Sequence, residues 1–247
     1  MDIESIRNED VPYVDCYTLD GYSFGRSFFN MEWVTAVSDA PKVIFDIGCY
    51  DMGDSIRFKH RFPGAEVYSF EASHYRHEKL RETAAKYGLN FVPFAVSDKV
   101  GTATFYDAEV FDDEGKIGPR IDAQGSFFQH TDIYKHKNPR IKQKAETTQV
   151  QTITVESFCA EKNISEIDVL YVDVEGAELQ VVKGMGSLRP KMVFVETLDF
   201  SNATKAAMWH GEATKSQELE NYLISIGYQL VKILDADRLY IHSSAIK

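Results

Sequence analysis

Ile167–Met185 reads IDVLYVDVEGAELQVVKGM, and its two halves follow different periods. Ile167–Val174 is apolar and β-branched almost without interruption, the pattern of a strand buried on both faces. From Glu175 to Leu188 the apolar residues Leu179, Val182 and Met185 fall at helical spacing, and Pro190 bars continuation. Strand–helix pairs of this kind recur on both sides. Upstream, Lys42–Gly48 (KVIFDIG) predicts a strand and 52–61 a short helix. Glu66–Ala72 (EVYSFEA) is a second strand after the Pro63–Gly64 turn, followed by a charged helix Ser73–Tyr87 that Gly88 stops. Leu89–Val96 (LNFVPFAV) is a third strand, in which Pro93 signals an edge or a bulge. Downstream, Met192–Thr197 predicts another buried strand, and Ser216–Ile226 a helix ended by Gly227. Tyr228–Leu234 and Arg238–His242, on either side of Asp235–Asp237, read as a closing hairpin.

Strands alternating with helices define the fold class as α/β: a mostly parallel sheet, helices on both faces, and an antiparallel edge from the hairpin. Gly101–Gln149 breaks the rhythm, being polar and holding four glycines; it is expected to be an irregular insertion with a functional or mobile role. Residues 1–40 are expected to be an N-terminal extension packing on a single domain spanning 41–247.

Composition narrows the function. The 247 residues carry 27 Lys+Arg against 38 Asp+Glu, a formal charge of −11, with 44% hydrophobic and 26% charged residues. That balance suits a folded domain and argues against nonspecific nucleic-acid binding, which needs clustered cations. Cys16, Cys49 and Cys159 are widely spaced and form no CxxC pair, so neither a disulfide framework nor a zinc site is expected. The first residues, MDIESIRNEDVPYVD, are polar, and no apolar run reaches the ~20 residues of a membrane span. A soluble cytoplasmic protein is the expectation.

Chemistry concentrates at strand ends. The loop Asp46-Ile-Gly-Cys-Tyr-Asp-Met-Gly-Asp54 follows the first strand; Gly48 and Gly53 let backbone approach a ligand, and free N–H groups open the next helix. Glu71 ends the second strand, where a carboxylate accepts ribose hydroxyls. The spacing is not GxGxxG and a second phosphate cradle is missing, so an adenosine ligand without phosphates, such as S-adenosylmethionine, suits the pair. Asp173, Glu175 and Glu178 then crowd the end of the next strand, with Glu175 and Glu178 expected on one side of a helix.

The segment IDVLYVDVEGAELQVVKGM resembles the signature of FkbM-type S-adenosylmethionine-dependent methyltransferases. VIFDIGCYDMGDSI and VYSFEAS look like that family's cofactor loop and ribose-binding strand, and FVPFAVSDKVGTATFY is similar to its third strand and following hairpin. The resemblance runs from about Val43 to Thr197, and GYQLV fits a late strand. It implies a class I methyltransferase fold, a Rossmann-like seven-stranded sheet with a C-terminal hairpin. S-adenosylmethionine would cross strands one and two. Asp46, Gly48 and Gly53, with Cys49 and Tyr50 in the same loop, would meet its methionine moiety. Glu71, with Ala72 and Ser73, would meet the ribose, and Ala95, Val96, Ser97 and Asp98 the adenine side, with Asp173 also near the cofactor. Two departures stand out: Met52 occupies the position of a frequent family glycine, and Tyr171 that of the usual lysine.

Such enzymes mostly methylate hydroxyl oxygens, often on sugars or natural products. The resemblance therefore implies a small-molecule acceptor, and a homo-oligomer is compatible with it. A hydroxyl must lose its proton, so a base is expected: Asp173 first, then Glu196 and Glu175, with His130 and His210 as further candidates. A metal is not expected, although convergence of Asp173, Glu175 and Glu196 would let a divalent cation lower the hydroxyl pKa instead. Gly115–His136, including Arg120, Ser126, Phe127 and Phe128, and Trp209–Glu212 are expected to cover the acceptor. Two other readings compete. A nucleotide-dependent oxidoreductase or epimerase would want GxGxxG or a Tyr-x-x-x-Lys pair, and a binding protein would keep the fold without turnover.

Overall fold

The structure, a computed structural model, describes residues 1–10, 17–19, 22–24, 27–111, 125–197, 216–234 and 236–246. Its centre is a seven-stranded sheet. The strands are β1 Val43–Ile47, β2 Glu66–Phe70, β3 Asn90–Val92, β4 Val169–Val172, β5 Met192–Glu196, β6 Tyr228–Leu234 and β7 Asp237–His242, in the spatial order β6-β7-β5-β4-β1-β2-β3. The sheet is mixed. Pairings from β3 through β2, β1 and β4 to β5 are parallel, and those of β7 with β5 and β6 are antiparallel. The chain builds outward from β1 in one direction and from β4 in the other, so the β1–β4 seam is the topological switch point.

Alternation along the strands sorts side chains onto two faces. On one face Ile44, Val67, Val169, Tyr171, Phe194 and Ile241 join Ile56 and Phe58 of helix α1 (Gly53–Arg61) and Leu80 of α2 (His77–Tyr87). Ile6, Phe29 and Trp33 belong to the same cluster. On the other face Phe45, Leu170, Val193 and Tyr240 pack with α3 (Val155–Lys162), α4 (Glu178–Lys183) and α5 (Ser216–Ser225).

Three expectations change. The third strand is split: Pro93 ends β3, an edge strand, and Ala95–Val96 pairs instead with Thr152–Ile153. The 101–149 insertion is less irregular than expected, since Gly101–Phe105 pairs antiparallel with Thr148–Ile153 and Ala108–Val110 with Ile141–Gln143. Its residues 112–124, which include Arg120, lie outside the described residues, as do Cys16 and the Trp209–Glu212 and His210 candidates. The helix after β4 starts at Glu178, not Glu175, because Glu175 (φ +53°) and Gly176 (φ +106°) turn the chain left-handed first. Glu175 and Glu178 therefore do not share a helical face, contrary to expectation. The helix also stops at Lys183, well before Pro190, where Gly184 lies so close to the Ser97 carbonyl that a Cβ would sit 2.2 Å from it.

Candidate active site

Because β2, β1, β4 and β5 run parallel and adjacent, their carboxyl ends bring four segments to one edge: Glu71, the Gly48 loop, Asp173–Gly176 and Glu196. The loop after β1 is tied down by Gly48 and Cys49 N–H groups donating to the Phe70 carbonyl, at 3.0 and 2.9 Å. Gly48 has φ +84°, and a Cβ there would lie 1.7 Å from the Asp173 carbonyl oxygen, so no other residue fits. Tyr50 (φ +48°) and Met52 (φ +66°) are left-handed too. Met52 thus keeps the backbone shape a glycine would favour, while its fully buried side chain joins the core cluster of Cys49 and Ile56. Gly53 opens α1, its N–H donating to Asp51 Oδ1 at 2.9 Å.

Glu71 accepts Tyr50 N–H at 3.1 Å and Ser73 N–H at 2.8 Å, one on each oxygen, which fixes the carboxylate and leaves lone pairs for hydroxyl donors. Burial raises its pKa to about 7. Asp46 is only 2% exposed and accepts the Ser55 hydroxyl, which also meets Ser69 Oγ at 2.6 Å; burial raises its pKa to about 8. The Ser73 hydroxyl donates to Asp107 at 2.8 Å, and Ala72 is half-buried beside it. Ala95 and Val96 bury their side chains in apolar clusters, so their backbone is what they can offer a ligand. Ser97 is buried, Asp98 is exposed, and the Ser97 hydroxyl donates to Asp98 at 3.3 Å.

Arg76 was not among the expected residues. Its guanidinium carbon lies 3.8 Å from the centroid of the Tyr50 ring, and its Nε is buried without a partner among the described residues. An orphaned donor beside Glu71 and the loop fits a ligand that brings acceptor oxygens. The signal for it in the sequence was thin: one cation just past an acidic strand end.

Across the seam, Asp173, Glu175 and Glu196 each offer a carboxylate oxygen, and these oxygens lie within 4.8 Å of one another. Desolvation, then mutual repulsion, raises Glu175 and Glu196 well above the ordinary carboxylate range. Asp173, which opens to solvent, is raised by desolvation too, against a hydrogen bond with Glu196. Two carboxyls this close titrate as a pair. The three oxygens would equally suit a divalent cation. Glu178 stands apart in function: it is 3% exposed, and its Oε1 accepts Gly176 N–H at 2.8 Å.

The insertion supplies a wall. Tyr134 is buried, with a pKa raised by burial and by Glu175 and Glu196, which places it facing the cluster. His130 lies against it, ring centroids 4.4 Å apart. Burial, then Lys135, lowers the His130 pKa to about 4, which makes the imidazole a weak base. Phe127 packs edge-on against Phe105 at 6.1 Å, so it anchors the loop. Tyr171, in place of the usual lysine, stacks on Phe194 at 5.1 Å within the core.

The chain is 28% identical over 171 residues to the 2-O-methyltransferase NoeI of Sinorhizobium fredii, a match covering 66% of this chain and 65% of that protein. Among solved structures, methyltransferase FkbM of Methylobacillus flagellatus KT aligns at 14% identity and TM-score 0.45, over 83% of this chain and 44% of that one. The SAH-bound Podospora anserina methyltransferase PaMTH1 aligns at 15% identity and TM-score 0.45, over 86% and 77%. The profile of the methyltransferase FkbM domain matches residues 46–230, from the end of β1 into β6, and takes in every strand-end segment described above. The chain belongs to the FkbM methyltransferase family.

Proposed function

We propose that the protein transfers a methyl group from S-adenosylmethionine to a hydroxyl oxygen of a sugar or natural-product small molecule. The observation that carries this reading is the convergence of Asp173, Glu175 and Glu196 across the switch point from the Gly48 loop and Glu71. The family match and the 2-O-methyltransferase relative support it.

When bound, the cofactor supplies a methyl carbon on a positively charged sulfur. The chain would hold it with loop backbone from Gly48 to Gly53, with Glu71 and with the Arg76 guanidinium. The catalytic demand is then to aim an acceptor oxygen and remove its proton. The Asp173–Glu196 pair would hold one proton, leaving its ionised member to take the acceptor's proton as the C–O bond forms and the methyl–sulfur bond breaks. Asp173 is the better placed, because it opens to solvent while Glu196 is partly buried behind it. Glu175 keeps the pair poised by repelling a second negative charge. Tyr134 and His130 would line the acceptor side, His130 as a neutral hydrogen-bonding group. A cation-assisted version is favoured by the same spacing of the three oxygens, and a chelator separates the two.

The first test is a thermal shift series. S-adenosylmethionine and S-adenosylhomocysteine should each raise Tm, because a ligand of the native state alone stabilises it. NAD(P) should leave Tm unchanged; a response to NAD(P) only would sink the reading. Cofactor binding without methyl transfer to a broad panel of hydroxylated acceptors would favour a protein that binds without turnover.

A further inference from the structure

The peptide joining Glu175 to Gly176 is gripped at both ends by side chains from outside the turn. Its carbonyl accepts Ser126 Oγ–H at 2.7 Å, and its N–H donates to Glu178 Oε1 at 2.8 Å. Ser126 is 0% exposed. Its backbone is bridged both ways to Tyr106, at 2.8 and 3.1 Å, and its Oγ accepts Phe128 N–H at 3.0 Å. That acceptance orients the hydroxyl, whose single proton then goes to Glu175. Gly125, one residue earlier, lies against Phe105 where a Cβ would come within 2.6 Å of the ring, so the approach of this loop is fixed by packing. Glu178 is equally immobile, buried at the first turn of α4.

Such a grip matters because the turn does not hold itself. Glu175 is left-handed at φ +53°, which costs a non-glycine residue about 1–2 kcal/mol. Gly176, at φ +106°, tolerates several backbone states, so sterics alone do not set the plane of the peptide between them. The hydrogen bonds do. The orientation of that plane fixes ψ of Glu175 and hence the direction from which its carboxyl enters the cluster.

We propose that Ser126 and Glu178 are positioning residues that clamp the Glu175–Gly176 peptide, and that this clamp keeps the Glu175 carboxyl beside Asp173 and Glu196. The role of the insertion's described residues is then partly internal: through Ser126 they set the acid cluster as well as walling the acceptor. The consequence for catalysis rests on the methyl-transfer reading, but the clamp itself can be tested without turnover.

The experiment is carbon-detected NMR titration of the Glu175 carboxyl in the full-length protein, in wild type and in Ser126→Ala, Ser126→Thr, Glu178→Ala and Glu178→Gln. Threonine retains the hydroxyl, and glutamine retains an oxygen for Gly176 N–H without the charge. Ser126→Ala and Glu178→Ala should move the Glu175 midpoint back towards ordinary carboxylate values by about 1–2 pH units, as the residue leaves its acidic neighbours. Ser126→Thr should keep the wild-type midpoint, and Glu178→Gln should fall clearly less than Glu178→Ala, losing only what the Glu178 charge adds. S-adenosylhomocysteine affinity should be unchanged in all four, and in a turnover assay the alanine variants should lose about tenfold in kcat. An unmoved midpoint in the alanine variants would overturn the clamp. So would a Glu178→Gln midpoint equal to that of Glu178→Ala, since Glu178 would then act through its charge. If Ser126→Ala does not fold, the Glu178 pair decides alone. If wild type binds S-adenosylhomocysteine but methylates nothing, the functional reading fails while the titration still judges the clamp.

Discussion

Gly48 is the residue on which the site depends most simply. Its left-handed φ and the 1.7 Å contact its missing Cβ would make with the Asp173 carbonyl oxygen join the loop after β1 to the acid cluster. Gly48→Ala is therefore expected to abolish S-adenosylhomocysteine binding, measured by calorimetry, even where the chain still folds. Affinity within threefold of wild type would contradict this. Asp173→Asn should cut turnover by about 10²–10⁴-fold, the range for removing a positioned base, with cofactor affinity nearly unchanged. Equal losses in kcat and cofactor affinity would mean that Asp173 serves the cofactor. The strand-end positions of Gly48, Glu71 and Asp173 were legible in the sequence, because the apolar runs before them mark where the strands stop. Arg76 and Ser126 were not. Their roles come from contacts made across the fold, Ser126 meeting a carbonyl 49 positions away.

Elements explain how isolated aromatics in the first forty residues join the domain. Phe29 sits between Trp33, Phe58, Tyr171 and Phe194, with ring centroids 5.0–5.8 Å away. Trp33 Nε1 donates to Glu9, and Lys232 Nζ on β6 donates to the Ile6 and Glu9 carbonyls at 2.7 and 2.6 Å, at the end of helix Ile3–Asn8. Phe29→Ala should therefore cost about 3–5 kcal/mol in urea unfolding, the range for emptying a buried aromatic site. A loss below about 1 kcal/mol would show that the segment is not part of the core. The strands of the sheet could be read because buried parallel strands leave continuous apolar runs. The segment around Phe29 could not, since its anchors follow no period. The start of α4 was misread for a related reason: Glu175-Gly176 has the composition of a helix start but a left-handed backbone, which composition does not encode.

For the whole molecule, buried acids set the response to pH. Asp46 titrates near 8 and Glu71 and Glu178 near 7, against ~3.9–4.3 for exposed carboxyls. Between those limits the folded chain holds more protons than the unfolded one, so stability falls as pH rises. The cofactor-free protein should melt at a lower temperature at pH 8 than at pH 6, and Asp46→Asn should narrow the gap; a higher Tm at pH 8 would contradict the burial of these acids as described. Turnover should run the other way, rising with pH as the Asp173–Glu196 pair gives up the first of its two protons and so gains an ionised member. A metal chelator should leave the rate unchanged if the pair acts as the base, and abolish it if a cation bridges the three oxygens. The alternation of strands and helices predicted that carboxylates would gather at strand ends, but the close approach of Asp173, just after β4, to Glu196 on β5 was visible only once their side chains met. In the proposed reaction this cluster removes a proton from a hydroxyl as a methyl group arrives. Transfer of a ¹³C-methyl group from labelled S-adenosylmethionine to a panel of sugars with free hydroxyls, read by NMR for wild type and Asp173→Asn, tests it most directly. Wild type should give an O-methyl signal and the variant should lose it almost completely, with S-adenosylhomocysteine binding intact. Equal O-methyl yield from the two proteins would contradict it.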